Sequence, residues 1–211
     1  MTQLLLIRHG QSTWNAIGRI QGWADPPLDE TGREQAHKLA SRLVAEEHNI
    51  AALYSSPLLR AGQTAEAISQ ALRLAVQTDD RLKENNVGQI TGLNDAEVNQ
   101  HFPEWVAQFY QAGNEYITPP GGEDRDHFVR RAAAAMADIV ARHPDQTVVV
   151  VSHGGTLGVY LAHLMEIPIH RRLPFQFDNA SVSIVRVTEQ RVRLLKFNDT
   201  WHLANGHAGH V

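Results

Sequence analysis

Leu4–Ile7, Ala51–Tyr54 and Val148–Val151 are short, unbroken apolar runs, each closed by a polar or glycine-bearing stretch. Runs of this length read as strands buried on both faces, as in a parallel sheet covered by helices. Ala75–Gln77 is a weaker candidate for a further strand. Between these runs the apolar period changes to that of a helix. Over Glu30–Glu47, residues Ala36, Leu39, Ala40, Leu43 and Val44 recur at helix spacing, with Asp29 or Thr31 placed to cap. Pro57 opens a second amphipathic run, ending near Leu72. Asp124–Arg142 is a long alanine-rich one stopped near Pro144, and Thr156–Met165 is helical again. Ser181–Val187 and Arg191–Phe197 read as a hairpin turning at Glu189-Gln190. This alternation predicts a three-layer α/β/α fold, its mostly parallel sheet finished by an antiparallel edge.

Leu93–Asp124 breaks the pattern and ends in Pro119-Pro120-Gly121-Gly122. Phe102, Trp105 and Phe109 stand at i, i+3 and i+7, which predicts one short helix with an apolar face. Long connections are also where lids lie, so 93–124 is expected to roof a pocket within one domain spanning 1–211.

Composition narrows the classes. With 43% hydrophobic residues in 211, the chain can bury a sizeable core. A formal charge of −4 leaves no basic footprint for nucleic acid. No signal-peptide pattern and no apolar run long enough to span a bilayer is present, so no membrane partner and a cytoplasmic location are expected. Zero cysteines exclude disulfides, thiolate catalysis and cysteine metal sites.

The candidate chemistry sits where apolar runs end. Arg8-His9-Gly10 follows the first, and Gly10 frees the backbone to turn. Open α/β sheets bind ligands at the carboxyl ends of their strands, arginine grips phosphate oxygens in a planar fork, and neutral histidine is a nucleophile near pH 7. Alone, the tripeptide is equally an ordinary strand end. Ser152-His153-Gly154-Gly155-Thr156 repeats the arrangement at a helix N-terminus, whose free N–H groups favour an anion. His153 reads there as a phosphate contact or as a capping residue. Arg60 lies in the first turn of a helix, opposing its dipole unless a phosphate is beside it. Glu84, in Leu82-Lys83-Glu84-Asn85-Asn86-Val87-Gly88, is by itself an ordinary surface carboxylate. No P-loop lysine and no G-x-G-x-x-G accompany them.

Taken in order, Arg8-His9-Gly10-Gln11-Ser12-Thr13-Trp14-Asn15, Gln21-Gly22-Trp23, Tyr54-Ser55-Ser56-Pro57-Leu58-Leu59-Arg60-Ala61, Leu82 with Glu84 and Gly88, and Ser152-His153-Gly154 resemble the motifs of the histidine phosphatase superfamily, also called phosphoglycerate mutase-like. The resemblance implies a nucleophilic His9, a proton donor in Glu84, and Arg8, Arg60 and His153 around the phosphoryl oxygens. Asn15, Gln21, Gly22 and Gly154 would be further substrate contacts, with no cofactor and no metal. Two arginines offset a phosphate dianion, each close unit pair being worth roughly 4 kcal/mol at an effective dielectric near 20. Neighbouring arginines also keep His9 neutral, whereas His153 would serve best protonated. Glu84 can donate a proton near neutral pH only if burial or the incoming phosphate raises its pKa, so it is expected on the leaving-group side, away from the arginines.

The short connection after Gly92 and the Pro-Gly-Gly-Glu-Asp ending resemble the family's phosphatase branch, which implies hydrolysis of a small phosphate ester through phosphohistidine. Broad-specificity, ribazole and metal-independent phosphoserine phosphatases are its candidates; the alternatives are a cofactor-dependent phosphoglycerate mutase and a non-catalytic phosphate-binding module. His202, His207 and His210 read as a frayed tail, although in phosphoserine phosphatases that region contributes to recognition. The hairpin's open edge leaves a homodimer as an expectation.

Overall fold

The computed structural model describes residues 1–46, 49–188 and 191–204. In chain order they form β1 (Thr2–Arg8), α1 (Thr13–Ala16), α2 (Glu30–Ala45), β2 (Ile50–Ser55), α3 (Leu59–Leu72) and β3 (Val76–Thr78). Then come α4 (Asp95–His101), α5 (Pro103–Gln111), α6 (Arg125–Arg142), β4 (Thr147–Ser152), α7 (Gly154–Leu164), β5 (Val182–Val187) and β6 (Val192–Asp199). The sheet order is β3-β2-β4-β1-β5-β6, parallel as far as β1, with β5 and β6 added antiparallel.

The apolar strands are unbroken because both of their faces are covered. Leu4, Leu6, Val148 and Val150 pack with Met136 and Ile139 of α6 and Leu157 and Leu161 of α7. Their neighbours Leu5, Ile7, Val149 and Val151 pack instead with Leu39 and Leu43 of α2 and Ile68 of α3. Alternate side chains of one strand thus feed two cores, giving the three layers expected. Among the described residues no helix is long and apolar enough to cross a membrane.

Three local expectations change. Of the two cap candidates for α2, Asp29 is used, accepting from Gly32 N at 2.7 Å. The single helix through Phe102 and Phe109 is two helices, because Phe102 (φ −130°, ψ 50°) precedes Pro103, and a residue before proline is pushed out of the helical region. Trp105 and Phe109 still meet, with ring centroids 5.4 Å apart. Gly10 does not adopt positive φ. Its missing Cβ makes room instead: a methyl there would stand 2.6 Å from the carbonyl oxygen of Gly32, at the start of α2. The hairpin turn at 189–190 lies outside the described residues.

Candidate active site

Parallel pairing aligns three strand ends. Arg8 of β1 lies opposite Ser152 of β4, and Ser55 of β2 opposite Val151, so His9 follows level with His153 and Ser56 level with Ser152, one residue before it. His9 and His153 are buried, at 3% and 0% exposure, with ring centroids 5.2 Å apart. The His9 backbone is held on both sides: its N–H donates to Ser152 O, and its carbonyl accepts from Ala180 N and Asn179 Nδ2.

His9 Nδ1 is 2.7 Å from Gly10 O, and a carbonyl only accepts, so Nδ1 carries the proton. Nε2 therefore has the lone pair, which accepts from Arg60 Nε at 3.2 Å. Burial, then Arg60 and Arg8, holds the His9 pKa well below 6.5. Burial and the same arginines depress His153 as well, so it is neutral before any anion arrives. Its Nε2 lies 2.8 Å from Ser56 Oγ, while its Nδ1 has no partner among the described residues.

Arg60 is 1% exposed, and its other nitrogens donate to Gly22 O at 2.9 Å and Ala24 O at 2.8 Å. Burial brings its pKa down to about 10, against the pull of Glu84 and Asp25. Arg8 donates to Phe177 O, and its Nε is buried without a partner.

Glu84 Oε1 accepts from Asn85 N at 2.8 Å and Oε2 from Gly155 N at 3.0 Å, at the N-terminus of α7. Among the described residues it forms no ion pair with an arginine, although it acts on three of them through space. Burial lowers the pKa of Arg8, Arg60 and Arg125, and in each case the Glu84 carboxylate is among the charges pulling it back up. Residue 84 is fixed through its backbone: Arg131 donates to the carbonyls of Arg81, Lys83 and Glu84 and to both Glu123 oxygens, each at 2.7–2.8 Å. Trp23 Nε1 donates to the Glu84 carbonyl as well, at 2.6 Å.

Asn15, Gln21, Gly22 and Gly154 line the same cavity, of about 620 Å³, with Arg8, His9, Arg60 and Glu84. The Asn15 side chain is already engaged, its Oδ1 accepting from Ser12 N and Oγ in a capping box for α1. Gln21 Oε1, 2.8 Å from Ser12 Oγ, shares that hydroxyl's single proton with Asn15 Oδ1. Both contacts use amide oxygens and hold Ser12, two residues after Gly10. Sequence reasoning missed Ser56, Asn179, Glu123 and Arg131 as supports; their contacts span up to 170 positions, and no local spacing marks them. His202, expected in a frayed tail, is in a helical turn with Nδ1 3.1 Å from Arg42 Nη1. His207 and His210 lie outside the described residues.

Known proteins carry the same arrangement of chain. A family model described as histidine phosphatase superfamily (branch 1) matches residues 4–200. Phosphoserine phosphatase 1 of Hydrogenobacter thermophilus is 36% identical over 203 residues, 96% of this chain and 95% of that protein. A probable phosphoglycerate mutase GpmB of Yersinia pestis is 35% identical over 189 residues, covering 90% and 86%. The solved structure of Bacillus stearothermophilus YhfR superposes with a TM-score of 0.87 at 33% identity, covering 97% and 100%. Because the match runs from the first strand through the last and takes in Arg8, His9, Arg60, Glu84 and His153, the chain belongs to branch 1 of the histidine phosphatase superfamily.

Proposed function

We propose that this histidine phosphatase hydrolyses small phosphate monoesters without a metal, carrying the phosphoryl group on His9. The observation behind this reading is the His9 imidazole itself: buried, neutral, protonated on Nδ1, and with the Nε2 lone pair beside Arg60. Arg60 Nε must pass from Nε2 to a phosphoryl oxygen before attack. Nε2 then forms the N–P bond as the P–O ester bond breaks, and the Nδ1–H to Gly10 O contact stabilises the charge that develops on the ring. Arg8 and Arg60 offset the dianion, and the unpartnered Nδ1 of His153 and Nε of Arg8 gain partners.

Glu84 protonates the departing alkoxide. It does so as the neutral acid, and the carboxylate left behind then takes a proton from the water that attacks phosphohistidine, which restores the acid. Inorganic phosphate leaves and the Nε2 lone pair returns. We take the 93–124 segment as the roof, because Phe109 and Tyr116 line the cavity. The cytoplasm is the setting we assign to this chemistry, on the sequence alone.

The test is turnover of O-phosphoserine, 3-phosphoglycerate and p-nitrophenyl phosphate in excess chelator. Phosphate release is expected, with an acid-labile phosphoryl group trapped on the wild type. His9→Ala should lose both, kcat falling by at least about 10³-fold. Strict dependence on a divalent metal, or isomerised phosphoglycerate without released phosphate, overturns the reading.

A further inference from the structure

The cavity carries more positive charge than a phosphate needs. Five arginines line it, Arg8, Arg19, Arg60, Arg125 and Arg172, against one carboxylate, Glu84. Arg19 is neutralised outside the cavity wall by both oxygens of Glu97, at 3.0 and 3.2 Å. Arg8 and Arg60 are matched by the phosphate dianion. Arg125 and Arg172 remain, and Glu84, which carries a proton when it acts as the acid, offsets neither of them.

Both leftover arginines are held without an acidic partner. Arg125 is 8% exposed; its Nε donates to Ile169 O at 2.9 Å and its guanidinium lies 4.2 Å from the Tyr116 ring centroid. Its two terminal nitrogens have no hydrogen-bond partner among the described residues, and neither arginine forms a salt bridge there. Arg172 donates to Phe109 O and lies 3.6 Å from the centre of the Phe109 ring. Stacking and a backbone acceptor thus fix each guanidinium while leaving N–H groups for something else. Arg125 also occupies the first turn of α6, where a cation opposes the helix dipole, as Arg60 does in α3. In both places a bound anion beside the arginine reverses the penalty.

We infer that Arg125 and Arg172 form a second anion subsite, which takes a carboxylate carried by the alcohol part of the phosphate ester. A carboxylate presents two oxygens to the N–H groups these guanidinium forks leave open. The favoured substrates are then phosphomonoesters of small hydroxy or amino acids, an assignment that rests on the phosphomonoesterase reading above.

Paired substrates that differ only in the carboxylate test it: O-phosphoserine against O-phosphoethanolamine, and 3-phosphoglycerate against glycerol 3-phosphate. The wild type should favour the acid of each pair by about 10- to 100-fold in kcat/KM, mostly through KM. Arg125→Gln and Arg172→Gln should each bring that ratio toward one, with Arg125→Lys recovering part of it; melting curves check that the variants fold. Calorimetry on His9→Ala with the same pairs repeats the comparison without turnover. Phosphate release with no preference within the pairs in the wild type overturns the subsite and leaves the phosphatase reading standing. So does an unchanged ratio in both variants with both members slowed alike, which would make the arginines tuners of Glu84. A wild type that hydrolyses nothing, yet whose His9→Ala form binds the acids preferentially, overturns the phosphatase reading and keeps the subsite. A higher affinity for bisphosphates than for the acids assigns the surplus charge to a second phosphate and overturns the carboxylate.

Discussion

The Nδ1 of His9 faces the Gly10 carbonyl at 2.7 Å, and that contact leaves Nε2 as the ring nitrogen with a lone pair. A neutral imidazole with its proton on Nδ1 needs no base to become a nucleophile. Burial and the arginines keep it so, and the same forces act on His153. Imidazole NMR should therefore find neither histidine titrating as pH falls from about 7.5 to about 6, where free histidine takes up its proton. A resonance from either that titrates near 6.5 contradicts this. A second single-residue prediction concerns Gly155. A methyl there would lie 2.3 Å from Glu84 Oε1, whereas one at Gly154 would lie 3.8 Å from the Arg8 side chain. Alanine suits the first turn of a helix, so Gly155→Ala should fold and yet displace the carboxylate. We expect kcat to fall about 10- to 100-fold for Gly155→Ala and distinctly less for Gly154→Ala. Equal losses in the pair would show that Glu84 tolerates the shift. The glycines themselves were legible in the sequence. What was not legible is that Gly155 is small for the sake of a side chain 71 positions away.

Among elements, α6 and the loop before it do more than cover the sheet. Arg131 ties three carbonyls of the Arg81–Glu84 stretch to Glu123, so one helix sets where the candidate acid stands. On an alanine-rich helix, an arginine at that position looks like ordinary surface charge, and Glu123 is eight residues away, outside helical neighbour spacing. Replacing it with methionine keeps the stem and removes every donor. Arg131→Met should lower kcat about 10- to 100-fold with a smaller change in KM, and Arg131→Lys should restore part of the loss. An equal loss of kcat and thermal stability, without rescue by lysine, would mark Arg131 as only structural. Strand elements were read well from sequence because burial on both faces leaves an unmistakable apolar run. The roof was read less well. Its aromatic period survives across Phe102, but Pro103 ends one helix and starts another, and a count of apolar spacing does not register that.

The whole molecule closes on itself through Arg42, which is 3% exposed and joins α2 to the chain after β6. It donates to Asp199 at 2.8 Å and to Glu46 at 2.9 Å, and approaches His202. Burial and Arg42 lower His202 to about 4, whereas interactions with Arg42, Lys196 and Trp201 hold Asp199 at about 2 despite its burial. Each folded pKa is below its unfolded value, so the unfolded chain binds protons first and stability falls with acid. For His202, as for His9 and His153, the loss begins near 6.5; for Asp199 it begins near 3.8. The melting temperature should therefore drop as pH falls from about 6.5 to about 4. His202→Gln should remove on the order of 1 kcal/mol of the stability lost over that range, a modest figure because His202 is only half-buried and screened by solvent. A flat profile over this range contradicts the assignment. The sequence by itself determined the layered α/β fold and the family, and it nominated five residues that the fold brings to one cavity or beside it, because periodicity and strand-end motifs are local and leave their mark in neighbouring positions. Only the tertiary structure decided which nitrogen of His9 is free, that the Glu84 carboxylate is held by the N–H groups of Asn85 and Gly155, and that Arg125 and Arg172 have no acidic partner among the described residues. Those facts are set by distances and burial between residues far apart in the chain, where spacing along the sequence carries no information.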